Sequence, residues 1–366
     1  MKIKSLLVSA IVIGLFLSLI FQPAPAAQKE NPTKKPQETA LAIPAEVKAA
    51  LQEGSQTRQP RLDIPFSIVK VYYLPAQQNM HAVMIFKVKN SDLGFVSAIA
   101  ETEDQKKKKE KKQEAPSIFE SSPNKLRAQA NVALRFAKLE DNNPGEIARE
   151  VMIPFDLEVD GNIYEPDREE IYSVGCPLPP GDYLVSMAVA SQDLEKIGTQ
   201  HRVLALPNVL SFSGTLETTP LFFASNIDTM SAAEPHAAIH KNFFTYSILQ
   251  IEPNLDNIFS PTDHMELFFY ILGAKPNEQG KFDIEINYEV YKGEEIYIRF
   301  EPQTYNSPLI SQQLPLKRTV LIKSEQGEKR ETRDLEAGFY TLSIAITDKI
   351  SEGILNKKIN FEVKTN

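Results

Sequence analysis

Tryptophan is absent from the 366 residues, and cysteine occurs once, at Cys176. A lone cysteine excludes an intrachain disulfide, so any core must be held by burial alone, which chains of this size can achieve. The common catalytic signatures are missing too. No phosphate loop, GxGxxG, GxSxG or CxxC pattern occurs, which removes the motif-level case for nucleotide, esterase or dithiol chemistry. No long amphipathic helix separates the apolar runs, which argues against a parallel α/β sheet. Positive charge is in deficit. The formal net charge is −8, which disfavours a nucleic-acid duplex or an anionic membrane surface as a general partner.

What is present begins with an address. Lys2 and Lys4 precede an apolar stretch from Ser5 to Phe21, broken by Gln22-Pro23 and followed by Ala24-Pro25-Ala26. This is the three-part pattern of a secretory signal peptide, expected over residues 1–26. Its loss removes two lysines and takes the formal charge of −8 to −10. About 340 residues would remain, enough for two domains and a tail. Membrane association is expected only if this segment is retained as an anchor. Residues 27–60 are expected to be a flexible tail carrying a short helix over 44–53, with Pro44 in its first turn and Gly54 as its stop.

From residue 62 the apolar period becomes two. Ile64–Tyr73, His81–Lys89 and Leu126–Phe136 alternate as strands with one buried face. Phe155–Val159 and Asn162–Tyr164 flank Asp160-Gly161, a pair suited to a tight hairpin turn. Arg202–Leu206 closes the region, and Pro207-Asn208 marks a boundary. Strands resume afterwards at Val209–Phe212, Leu221–Ala224, Phe243–Ile251, Met265–Leu272, Phe282–Tyr291, Glu295–Phe300, Thr319–Ser324, Gly338–Thr347 and Lys358–Val363. Many short strands between turn residues argue for β-sandwiches.

Two segments share one pattern. Leu178, Gly181, Tyr183, Ser186 and Ala188 recur as Leu335, Gly338, Tyr340, Ser343 and Ala345. Leucine plugs the core before a corner, glycine turns the backbone without a Cβ clash, and tyrosine opens the next strand. In immunoglobulin-like sandwiches such a tyrosine buries its ring and satisfies nearby backbone with its hydroxyl. The expected fold is therefore mainly β: two tandem immunoglobulin-like sandwiches, 61–207 and 208–366, the first interrupted by a lysine-rich insertion near 99–122.

Leu62–Phe95, Phe259–Tyr270, Ile286–Gly293 and Leu335–Asp348 carry a resemblance to the β-sandwich regions of secreted bacterial proteins that also bear von Willebrand factor A-related or GWxTD domains. The resemblance implies fold and compartment. It does not carry activity across: a GWxTD motif is impossible without tryptophan, and the Asp-x-Ser-x-Ser metal site of an A domain is absent.

Candidate chemistry is sparse. His236 and His240 have the i,i+4 spacing that would align two rings on a helix, but the glutamate of HExxH is missing and no third ligand is marked. Asp263, His264 and Glu266 are neighbours in sequence only. Cys176 lacks a marked base and reads as a packed thiol. The acidic stretch Glu140–Glu146 fails the calcium-loop pattern and reads as a solvated turn. Lys106–Lys112 is lysine except for Glu110, with acidic neighbours, and reads as a hydrated surface insertion. Among aromatic clusters, Phe223, Phe244 and Tyr246 are candidates for an interaction surface together with His236 and His240.

These features predict an exported, secreted or periplasmic, non-catalytic protein that contacts an envelope protein or surface polymer. No cofactor, metal or nucleic acid is expected. The alternatives are a carbohydrate-binding or adhesion module and a cryptic hydrolase.

Overall fold

A computed structural model describes residues 42–97, 124–208, 214–324 and 327–365. The expected signal peptide, most of the tail, the lysine-rich insertion and the strand expected at 209–212 lie outside these residues. The chain is mainly β and forms two compact units, Glu38–Pro207 with Asp228–Ile251, and Asn208–Ile227 with Glu252–Asn366.

The first unit opens with α1 (Ala45–Thr57). β1 (Phe66–Ala76) and β2 (Asn79–Lys89) form a hairpin, followed by the short β3 (Val96–Ser97). β4 (Lys125–Glu140) and β5 (Asn143–Asp160) make a long hairpin turned by Asp141 and Asn142, both with positive φ. Then come β6 (Glu169–Leu178), β7 (Gly181–Ser191) and β8 (Ile197–Leu206). The second unit starts with β9 (Glu217–Thr218) and β10 (Phe222–Thr229). The chain then returns to the first unit for β11 (Ile239–Lys241), β12 (Phe244–Tyr246) and the start of β13 (Leu249–Asn254).

The remaining strands belong to the second unit: β14 (Ile258–Phe259), β15 (His264–Leu272), β16 (Ile284–Lys292), β17 (Glu295–Arg299) and β18 (Gln303–Tyr305). They continue as β19 (Leu309–Pro315), β20 (Lys317–Ser324), β21 (Gly327–Asp334), β22 (Gly338–Asp348) and β23 (Gly353–Val363).

One sheet of the first unit runs β1-β2-β6-β11, and the other runs β3-β4-β7-β8 with β5 also on β4. Their facing sides meet where Phe155 of β5 sets its ring edge-on to Tyr172 of β6 at 4.7 Å. In the second unit β10 pairs β15, which pairs β19, while β14-β23-β22-β16-β17 forms the opposing sheet. Between them lies a core that includes Phe223, Leu267, Phe269, Ile286, Tyr288, Leu342, Ile344 and Phe361.

Three local expectations change. The helix runs past Gly54 to Thr57 and ends at Arg58, whose φ is 55°. Gly54 is no stop; a Cβ there would lie 2.1 Å from His201 Nε2, so glycine lets the helix close onto that ring. Helix residues Val47, Ala50 and Leu51 pack on Ala133, Ala188 and Ala190, small side chains that admit a close helix. The hairpin expected around Asp160-Gly161 does not form, because β5 spends its length pairing with β4 and the next strand begins at Glu169. Finally, residues 208–366 are not one continuous module. Asp228–Ile251 joins the first unit because β11 adds to the edge of β6 (Ile239 opposite Val174, Lys241 opposite Tyr172), with Lys241 Nζ 3.2 Å from Glu170.

The two corners have one geometry. Tyr183 donates its hydroxyl to the Pro179 carbonyl at 2.8 Å, and Tyr340 donates to the Glu336 carbonyl at 2.8 Å. Gly181 and Gly338 have φ of 146° and 153°, a region L side chains rarely adopt. Both rings are buried, as are Leu178 and Leu335.

Candidate functional site

A cavity of about 270 Å³ lies wholly within the first unit. Its floor is the outward face of β2 and β6. Partners across a ladder share a face, so His81, Val83 and Ile85 stand with Pro177, Gly175 and Ser173. The opposite face carries Ala82, Met84 and Phe86 with Cys176, Val174 and Tyr172, and points into the sandwich. An outward face normally meets water, yet Val83 and Ile85 are buried. The residues between β10 and β13 cover it.

A β-bulge prepares β1 for this cover. The register slips between Ile68 and Lys70, so Phe66 and Ile68 face inward with Phe86, whereas Tyr72 and Leu74 face outward beside Val83 and His81. Phe244 of β12 meets the Tyr72 ring at 6.0 Å, and Tyr246 donates its hydroxyl to the Pro75 carbonyl at 2.5 Å. The Ser173 hydroxyl donates to the Phe243 carbonyl at 2.6 Å. These bonds fix the covering segment as one wall, and Ala233–Ala238, His240, Thr245 and Ser247 line it.

Three of the chain's five histidines, His81, His236 and His240, line this one cavity with Arg149 and Glu234. His236 and His240 are not on a helix: His236 is in an irregular, exposed stretch and His240 is on β11. The His240 ring stacks on Phe243 at 4.6 Å, and its Nε2 lies 3.0 Å from Glu234 Oε2. The same carboxylate oxygen accepts the Thr245 hydroxyl at 3.0 Å. Thr245 thus gives its proton to the same carboxylate oxygen that His240 contacts, so the three side chains form one linked set. Cys176 points to the other side of the sheet and is buried.

His81 escaped the sequence reading, because it occupies an unremarkable position in an alternating strand. Its signal was a glycine on the neighbouring strand, diagonal to it in the ladder. A Cβ on Gly175 would lie 2.6 Å from His81 Nε2, so the ring fills the space that a side chain on β6 would take. Burial depresses the His81 pKa to about 4, with the Arg149 charge adding to the effect and a hydrogen bond to the Thr245 backbone opposing it. At neutral pH the ring is uncharged. Arg149 Nη1 donates to the Pro177 carbonyl at 2.9 Å, which holds the guanidinium against the rim of β6.

Two expected surface residues are core residues. Phe244 is buried under the contacts just described, and Phe223 packs edge-on to Phe259 at 5.1 Å in the second unit. Its neighbour Phe222 is buried as well, with its ring 5.4 Å from Phe268. Both faces of β10 are therefore covered at this pair, and neither ring is exposed. Tyr246 is half-buried and holds the wall in place. His264, Asp263 and Glu266 lie in the second unit, where Asp263 closes a turn onto the Ser260 amide and Glu266 accepts the Ser311 hydroxyl. Among the described residues no group of three or more His, Cys, Asp or Glu side chains is placed to hold a metal ion, and no helix is long and apolar enough to cross a membrane.

No protein-family model and no curated protein matches this chain.

Proposed function

We propose that the chain is an exported, non-catalytic envelope or secreted protein that mediates recognition of a protein or a surface polymer, and that the cavity of its first unit is the recognition site. One observation carries this reading: a segment from beyond the first run of strands returns to cover the outward face of β2 and β6, and the cavity beside it is lined by polar as well as apolar side chains, among them His81, Arg149, Glu234 and His240. A cover needed only for burial would pack flat on Val83, whereas this one leaves a space of about 270 Å³ beside it. The signal-like N-terminus and the resemblance to sandwich regions of secreted bacterial proteins support export, and an immunoglobulin-like relationship fits the paired tyrosine corners.

The test is crosslinked pull-down from envelope extracts with wild-type chain and with Ala238→Trp, which fills the cavity from its lining. The expected result is a partner captured by wild type and lost in the filled variant, with both showing the same circular dichroism. Equal capture by both, or no partner at all, overturns the reading.

A second reading, carbohydrate binding, is favoured by the outward face of β16, β22 and β23. Tyr291 lies opposite Thr341 there, Thr341 opposite Asn360, and Phe339 is 75% exposed nearby. Aromatic rings beside amide and hydroxyl groups suit sugar faces and hydroxyls. A glycan array without hits, with and without calcium, would remove it.

A further inference from the structure

The helix α1 rests on a polar row. Glu150 of β5 stands opposite Arg135 of β4, Arg135 opposite Ser186 of β7, and Ser186 opposite His201 of β8. Partners across a ladder share a face, and this is the face that α1 covers. At one end of the row the helix closes onto His201 through Gly54, where any side chain would overlap the ring. At the other end Lys48 Nζ lies 3.4 Å from Glu150.

His201 Nδ1 lies 2.9 Å from the Ser186 hydroxyl, whereas Nε2 is buried and has no hydrogen-bond partner among the described residues. A neutral imidazole carries one N–H. With that N–H on Nδ1 and donated to Ser186, Nε2 meets the helix as a bare lone pair. A second proton would put a charged N–H there, facing α1 without an acceptor, and a buried charge left unpaired is costly.

The charged groups around the ring are committed elsewhere or turned to solvent. On α1, Glu46 and Glu53 are exposed, and Lys48 is held by Glu150. Arg135 Nε donates to Glu150 at 2.7 Å. On β7, Asp182 is exposed, two outward positions beyond Ser186. On β8, Arg202 turns to the other face and donates to the Ile68 carbonyl. After the helix, Arg58 donates to the Asn142 carbonyl, and Arg61 pairs with Asp63.

We infer that α1 is an acid-released strap: protonation of His201 undocks the helix from β7 and β8 and bares the apolar strip of Ala133, Ala188, Ala190 and Ile197 that Val47 and Leu51 cover. The inference goes beyond the recognition cavity, which lies on the other sheet, and stands or falls apart from it. Burial lowers the His201 pKa, so the docked ring takes up a proton less readily than the released one. Docking is therefore full above the ordinary histidine pKa of about 6.5 and weakens as the pH falls below it. The helix has 13 residues and no side-chain bond at its N-cap, so its helicity depends on docking and release should melt it.

The experiment is hydrogen exchange of the full chain at pH 7.5 and pH 5.5, expressed as protection factors so that the intrinsic pH dependence of exchange drops out. Protection of 45–57 in wild type should fall at least about threefold at pH 5.5, while that of β22 and β23 stays unchanged. His201→Gln cannot take up the proton and should abolish the step. His81→Gln should keep it, because His81 lies under the other cover. Imidazole titration by NMR gives a second readout in wild type alone: the His201 ring should titrate below its ordinary value, with the midpoint of the α1 amide shifts. That readout decides the matter if His201→Gln leaves the helix unprotected at both pH values. Unchanged protection in wild type, an equal loss in a docked His201→Gln, or a His201 midpoint that is ordinary or differs from that of the helix amides overturns the inference.

Discussion

β7 and β22 leave matching corners and then diverge. After Tyr183, β7 is buried at every position through Ala190; after Tyr340, β22 alternates between buried and half-exposed side chains to its end. The difference is what lies on the outer faces. In the first unit α1 covers the outer face of β7, and the returning segment covers that of β2 and β6. In the second unit the outer face of β22 carries Thr341, Ser343 and Thr347 and remains partly exposed. A sandwich needs two layers. The first unit carries an addition on each of its outer faces, and the cavity with its polar lining lies beside one of them. The corner has the same geometry in both units; the covers are where the units differ.

The comparison breaks first if the corners are not equivalent. Tyr183→Ala and Tyr340→Ala should each cost roughly 3–5 kcal/mol, the usual range for deleting a buried aromatic ring. Phenylalanine at either position keeps the ring and loses one hydrogen bond, about 1 kcal/mol. Denaturant unfolding read by hydrogen exchange in each unit would show this. A corner that tolerates alanine at one site only would end the claim that both rings do the same work.

Much of this frame was legible in the sequence because alternation and turn chemistry are local. The strand 338–347 and the Leu-Gly-Tyr corners needed only neighbouring residues. The cavity needed distant ones. β6 was missed because Gly175 and Pro177 weaken its strand signal, and Gly175 is there to admit His81 from the neighbouring strand. β11 reads as a polar loop because its pairing partner is β6, far back in the chain. Of the predicted site, His236 and His240 do reach one cavity. The strand that unites them with His81 and Arg149 is specified by tertiary pairing, and local periodicity cannot report it.

The helical cover gives the next largest effect. Leu51 is fully buried against the outer face of the β3-β4-β7-β8 sheet, and Leu51→Ala should cost about 3 kcal/mol. Because α1 is too short to be stable alone, the loss should appear as undocking of the helix. Amide exchange in 45–57 should accelerate while protection in the second unit stays unchanged. Uniform loss across both units would show that the helix is integral to the whole fold rather than a layer added to one sandwich.

The other cover has a pH signature of about 2 kcal/mol. His81 has a folded pKa of about 4, against roughly 6.5 for an exposed histidine. The unfolded chain therefore binds the proton first, so stability is full above pH 6.5 and falls as the pH drops toward 4. By pH 5 the loss should be about 2 kcal/mol in the first unit. His81→Gln removes this step, and comparing its pH–stability curve with wild type separates His81 from the carboxylates that titrate lower. Parallel curves would mean that water reaches the ring and the cavity is not closed at its floor.

The smallest effect tests the uncovered side of the comparison. Phe339 stands on the outward face of β22, opposite Glu362 of β23, and is 75% exposed. Its ring buries little on folding, so Phe339→Thr should change stability by less than about 0.5 kcal/mol, the range of surface substitutions. Threonine also suits a strand position, so backbone propensity does not mask the result. A loss above about 1 kcal/mol would require the ring to be packed. The second unit would then carry a cover of its own, and the contrast with the first would disappear.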